Sequence, residues 1–156
     1  RSARDLQGPV QVNDAAALQA KIHRTIPLSA AMGYEIVALD EAQIVVEAPL
    51  QPNINIHGTG FAGSLYTLGI LSAWALCNHV IDDAGLDAEL VIAEAAIRYR
   101  APVHGRIRCC CRLSANQIQR FVTGLRTRGS ARIRVEVDIG EEPAARIQAT
   151  LHASRG

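Results

Sequence analysis

Leu65-Tyr66-Thr67-Leu68-Gly69-Ile70-Leu71-Ser72-Ala73-Trp74-Ala75-Leu76-Cys77-Asn78-His79-Val80-Ile81 is an apolar stretch around which the rest of the chain is organised. No charge interrupts it until Asp82. A helix that is apolar on all sides has to be covered on all sides. At 17 residues the stretch lies at the bottom of the range for a membrane span, and it carries Ser72, Asn78 and His79 without basic flanks. A buried core helix closed by Gly85 is therefore expected, with no membrane association.

The segment running into it, Pro52-Asn53-Ile54-Asn55-Ile56-His57-Gly58-Thr59-Gly60-Phe61-Ala62-Gly63-Ser64, is a loop rich in Asn and Gly. The first N–H groups of a helix have no partner within it and carry partial positive charge. Gly63 lets a ligand approach the backbone closely. Loop and helix start together form a candidate oxyanion site for a polarised carbonyl.

Outward from this centre, Asp14 reads as the cap of a first helix with Leu18, Ile22 and Ile26 at helical spacing, ended by Pro27. Tyr34–Leu39 and Gln43–Ala48 read as strands joined by a turn at Asp40-Glu41. Glu89–Arg100 reads as a strand with an apolar first half and an interior place in the sheet. In Arg106–Leu113, Ile107, Cys109, Cys111 and Leu113 alternate with Arg106, Arg108, Cys110 and Arg112. Ile118, Phe121, Val122 and Leu125 return to helical spacing, with Asn116 as cap and Gly129 as stop. This gives a small extra helix near 116–128. Period two then resumes in Ile133, Val135, Val137 and Ile139, and again in Ile147, Ala149, Leu151 and Ala153. These last two strands, joined around Glu141-Glu142-Pro143, make an antiparallel hairpin. No repeat or linker divides the chain, so one domain over residues 1–156 is expected. The fold class is α+β: a curved antiparallel six-stranded sheet wrapped around the long apolar central helix, the arrangement called the hotdog fold. One such sheet cannot completely bury the helix, so a homodimer is expected.

Composition narrows the function. Hydrophobic content of 49% argues against disorder, and aromatic content of 4%, with Trp74 the sole Trp, argues against platforms for stacking nucleobases. Nucleic acid is not an expected partner. Net charge is only +1, yet 12 of the 16 basic residues lie from Arg98 onward and 11 of the 15 acidic ones before it. A basic carboxy-terminal part suits either solvated strand faces or an anionic partner. The cysteines are Cys77 and the run Cys109-Cys110-Cys111. Adjacent cysteines do not form an unstrained disulfide, and no C-x-x-C spacing offers a zinc site. Free buried thiols, no metal and a reducing compartment are expected. Arg1 to Pro9 is polar and lacks a signal-peptide pattern, which adds to the expectation of a cytoplasmic location.

Three motifs carry a family resemblance. They are Ala48-Pro49-Leu50-Gln51-Pro52-Asn53-Ile54-Asn55, Thr59-Gly60-Phe61-Ala62-Gly63-Ser64-Leu65 and Leu71-Ser72-Ala73-Trp74. Together they resemble the YiiD carboxy-terminal-domain family of the hotdog thioesterase superfamily. The resemblance runs from about Ala17 to the end and includes Ile97-Arg98-Tyr99-Arg100-Ala101-Pro102-Val103. The family usually has Gly-Gly-Ser where this chain has Ala62-Gly63-Ser64. The resemblance implies a homodimer with sites between subunits, acting on acyl thioesters of coenzyme A or acyl carrier protein. The substrate then brings its own coenzyme A or phosphopantetheine, and no separate cofactor is implied. Members are labelled thioesterases, and some are described as malonyl-acyl-carrier-protein decarboxylases.

Hydrolysis needs an activated water or a nucleophile, which many hotdog thioesterases supply from a carboxylate on the central helix. In the related His-Gly-Gly-x-Leu-x-x-Leu-x-Asp pattern that Asp falls at Ile70 here. His57 is then the candidate base. Decarboxylation of a malonyl thioester needs neither base nor nucleophile, only donors for the developing enolate. The donor-rich, carboxylate-free site favours it, with hydrolysis as the alternative. A non-catalytic acyl-thioester-binding protein is a further alternative, but no output module fits in 156 residues. The candidate catalytic residues are Asn55, Gly63, Ser64 and His57. The candidate substrate-binding residues are Asn53, Thr59, Phe61, Arg98 and Arg100, the last two placed to dock an anionic carrier.

Overall fold

The structure is a computed structural model and describes residues 12–156. The polar stretch Arg1 to Pro9 lies outside the described residues. In chain order the elements are α1 (Val12–Thr25), α2 (Pro27–Met32), β1 (Glu35–Leu39), β2 (Gln43–Ala48), a 3-10 turn (Gln51–Asn53), α3 (Ala62–Asp83), β3 (Glu89–Tyr99), β4 (Ile107–Arg112), α4 (Ala115–Arg128), β5 (Ser130–Ile139) and β6 (Ala145–Ser154). The six strands form one antiparallel sheet in the order β1-β2-β4-β5-β6-β3.

α3 is the apolar stretch extended by three residues at its start and two at its end, and it packs against β2, β3, β4, β5 and β6. It is long and apolar enough to cross a membrane, but 72% of its apolar window is buried here, which makes it the core. Helix and sheet come close because residue 69 is a glycine. A Cβ at Gly69 would sit 2.5 Å from Ile147 Cδ1 and 3.0 Å from Ile139 Cδ1. The inward rows are those the period-two patterns mark. Ile107, Cys109 and Cys111, then Ile133, Val135, Val137 and Ile139, then Ile147, Ala149, Leu151 and Ala153 are all buried. Burial raises the thiol pKa of Cys109 and Cys111 to about 12 and pushes Cys77 up further. All four cysteines are free, but Cys110, on the opposite side of β4, is only half-buried.

Several expectations need correction. β3 lies at an edge, not inside the sheet: among the described residues its one strand partner is β6. A bulge between Ile92 and Glu94 also flips its parity, so Leu90 and Ile92 share the inner side with Ala95 and Ile97. A similar shift between Ile36 and Ala38 lets Ile36 and Leu39 both point inward from β1. Asp14 lies inside α1, in the first turn of its described residues, and is not its cap. The first helix does end just before Pro27, as expected, and Pro27 then opens α2, at a position where its missing N–H has no helical partner anyway. α4 is capped by Ser114 and not by Asn116. Ser114 Oγ accepts from Gln117 N–H at 3.1 Å, and Gln117 Oε1 accepts from Ser114 N–H at 2.8 Å.

Candidate functional site

The loop before α3 is shaped by two asparagines with different jobs. Asn53 is buried and donates through Nδ2 to the carbonyls of Met32 and Pro49, both at 2.9 Å. Its backbone carbonyl accepts from Phe61 N–H at 2.7 Å. Asn53 therefore ties the end of α2, the loop and the entry of α3 together. Its Oδ1 is buried without a partner among the described residues.

Asn55 closes the turn that follows. Its Oδ1 accepts from the N–H groups of His57 at 2.9 Å and Thr59 at 3.0 Å. Its Nδ2 donates to Thr59 Oγ1 at 2.9 Å and reaches the Gly60 carbonyl at 3.4 Å. Both amide hydrogens of Asn55 thus have partners inside the loop. Ile54 bridges to Gly60, and Gly60 N–H donates to the Val103 carbonyl at 2.9 Å, which fixes the loop to the segment after β3. His57 stands exposed at the tip, one residue before Gly58, whose φ of 78° makes the reversal.

Phe61 is the N-cap residue of α3, with φ −66° and ψ 130°. The amides of Ala62, Gly63 and Ser64 occupy the first turn and have no intrahelical acceptor; the first helical bond of this end is Leu65 N–H to the Phe61 carbonyl, 3.0 Å. Among the described residues no side chain caps this end. The Phe61 ring lies where a Cβ on residue 63 would be, at 2.7 Å from its Cε1, so only glycine allows this packing. The loop and this helix start thus stand together as the sequence implies. The only carboxylates on α3 are Asp82 and Asp83 at its far end, and Ile70 is packed against the core.

Tyr99, unassigned from sequence, joins the site. Its Oη donates to the Ala62 carbonyl at 2.8 Å, which anchors the end of β3 to the first turn of α3. Burial, then the neighbouring Tyr66, pushes the Tyr99 phenol up. The signal available was its place, Tyr99 in Arg98-Tyr99-Arg100, at the end of a strand near a loop. Arg98 and Arg100 are exposed on either side of it. Arg98 lies across from Arg146, which is paired with Asp138 at 2.7 Å. Around the site Ile54, Ile56, Phe61 and Tyr99 are exposed, Ile56 almost completely at 95%. Among the described residues no three His, Cys, Asp or Glu side chains gather to hold a metal ion.

Comparison with known proteins agrees with this architecture. Residues 15–151 match the family described as "Putative thioesterase (yiiD_Cterm)". A "putative thioesterase" from Shewanella oneidensis is similar at 30% identity and a TM-score of 0.80, over 94% of this chain and 100% of the other. A "probable thioesterase" of unknown function from Pseudomonas aeruginosa is similar at 26% identity and TM-score 0.80, over 95% and 98% of the two chains. A protein of unknown function from Chlorobaculum tepidum reaches TM-score 0.87 at 26% identity, over 92% and 95%.

Proposed function

The chain belongs to the YiiD carboxy-terminal-domain family of hotdog thioesterases, and on that premise we propose an enzyme that decarboxylates a malonyl thioester at the first turn of α3. The observation that carries the reading is a helix start with three uncommitted amides on a helix without a carboxylate before Asp82. In this reaction the bond between the malonyl α-carbon and its carboxylate breaks, and carbon dioxide leaves. The electron pair moves onto the thioester oxygen as an enolate. Protonation of the α-carbon by water then yields the acetyl thioester, with the thioester bond intact. The protein has to stabilise the oxyanion, which fixed donors do without moving a proton.

The donors are the Gly63 and Ser64 amides, aided by the partial positive charge of the helix start. Asn55, with Thr59, holds the loop shape that aims them; direct donation from its amide would cost it the Thr59 contact. Phe61 and the neighbouring apolar side chains flank the acyl group, and Arg98 and Arg100 face the anionic part of the coenzyme A or carrier. Hydrolysis is the second reading, favoured by the family's description, with His57 as the base acting on water.

The active unit in this account is a homodimer, in a reducing, cytoplasmic setting that suits the free thiols. Among the described residues the outer edge of the 11-residue β3 has no strand partner, and Val91 and Tyr99 are exposed on it. A second copy covers this edge and the apolar residues of the loop.

An amide-to-ester exchange at Gly63, made by semisynthesis, tests the donor assignment. It removes an N–H that no helical bond uses; it also weakens the Ala62 carbonyl as the acceptor for Tyr99, and Tyr99→Phe measures that share separately. Turnover should fall on the order of a hundredfold or more, with the fold intact. Unchanged turnover would discard Gly63 as a donor.

A further inference from the structure

We propose that the groove between α4 and the start of β5, rimmed by Arg120, Arg128 and Arg132, is the docking surface for an acidic carrier protein that delivers the thioester. This rests on the acyl-thioester reading above and supplies the carrier's place of landing.

From Ala95 to Val135 the sequence holds ten arginines and no Asp or Glu. Some of these charges find acids from elsewhere in the chain: Arg106 pairs with Glu35 and Glu47, and Arg108 with Glu47. Arg126 donates to the Ala84 carbonyl. Arg120, Arg128 and Arg132 have no ion-pair partner among the described residues, and all three are exposed. They border a groove of about 480 Å3. Gly124 forms part of its lining. A Cβ there would meet Arg128 Nη2 at 2.9 Å and Ala131 Cβ at 3.0 Å, so glycine lets the guanidinium lie close over the helix.

Gathering like charges without a local acid costs stability, and an anionic partner offsets that cost. Arg120 and Arg128 are eight residues apart on one helix, about 12 Å along its axis. That separation exceeds one phosphate and matches a row of carboxylates on a protein surface.

Placement supports the assignment. Arg132 lies level with His152 and Val91 across the sheet, whereas Tyr99, tied to the first turn of α3, is at the other end of β3. Eight strand residues separate the two levels, about 26 Å. Within one chain the groove is therefore remote from the site. Antiparallel pairing of β3 with the β3 of a second copy sets the Val91 end of one protomer against the Tyr99 end of the other. The groove of one protomer then lies level with the first turn of α3 in its partner, and the carrier's flexible arm spans the strands between them.

The test compares malonyl-loaded acyl carrier protein with malonyl-coenzyme A as substrates for the wild-type protein and for the double variant Arg120→Glu, Arg128→Glu. The expected result is a KM for the carrier substrate raised tenfold or more, with kcat and the coenzyme A kinetics unchanged. Wild-type affinity for the carrier should also weaken steeply with salt. An unchanged carrier KM, or an equal rise for both substrates, overturns the proposal. Titration of fluorescent unloaded carrier gives a readout free of chemistry, and Arg132→Glu gives a variant on a different element. If wild type turns over neither substrate, the acyl-thioester reading fails, while loss of carrier binding in the variants still supports the groove. Equal carrier binding by wild type and variants overturns it, as does a short DNA duplex bound through these arginines where the carrier is not.

Discussion

Replacing Asn53 with alanine separates the scaffold of the site from its chemistry. The side chain is 1% exposed and its Nδ2 donates to the Met32 and Pro49 carbonyls, both at 2.9 Å. The Met32 contact is buried, so its carbonyl would lose its partner out of reach of water, a cost of about 1–3 kcal/mol. The Pro49 contact is part-buried and can be rehydrated, which limits its share to about 1 kcal/mol. Against these stands relief of the unpartnered Oδ1, which alanine removes. With that relief put at about 1 kcal/mol, the net loss is about 1–3 kcal/mol. For a chain of this size that corresponds to a melting temperature lower by about 3–10 °C. Urea unfolding followed by circular dichroism is the assay. Asn53→Asp should be worse than alanine, since it sets a carboxylate against two carbonyl oxygens. An Asn53→Ala protein within about 0.5 kcal/mol of wild type would refute this reasoning, because surface substitutions with no structural role fall in that range.

Further outcomes follow from the same structure. Sedimentation should show a dimer at micromolar concentration, and Val91→Lys on the β3 edge should shift it towards monomer and reduce turnover; a fully active wild-type monomer would contradict this. Stability should fall as pH rises above about 9, because the thiols of Cys109 and Cys111, with pKa values of about 12, stay protonated in the folded chain while those of the unfolded chain ionise. Each such thiol costs about 1.4 kcal/mol per pH unit in that window. Urea midpoints from pH 7 to 10.5 measure it, and Cys109→Ala with Cys111→Ala should flatten the slope.

Much of the fold was legible because burial imposes period. The all-round apolar character of residues 65–81 demanded a covered helix, and β5 and β6 alternate without a break. What escaped depended on partners distant in sequence. The apolar first half of β3 suited an interior strand, yet its edge position follows from β6 taking the place beside β5. Its bulge left a trace in the parity change from Leu90 and Ile92 to Ala95 and Ile97. Ser114-Ala115-Asn116-Gln117 carries the capping-box spacing and could have displaced Asn116 as the cap. At the site the sequence marked loop and helix start together. It did not show that the Asn55 amide is taken up by Thr59, nor that Tyr99 reaches the Ala62 carbonyl. Those contacts depend on the loop's own turn geometry and on how β3 approaches α3.

The proposed mechanism needs only donors on α3, without a base, to act on a malonyl thioester. Its direct test is to incubate the protein with malonyl-loaded acyl carrier protein and follow carbon dioxide and free thiol separately. Carbon dioxide release with acetyl-carrier accumulating and little free thiol is the expected result. Free thiol appearing at the same rate as carbon dioxide, or without it, would contradict decarboxylation and make the enzyme a hydrolase.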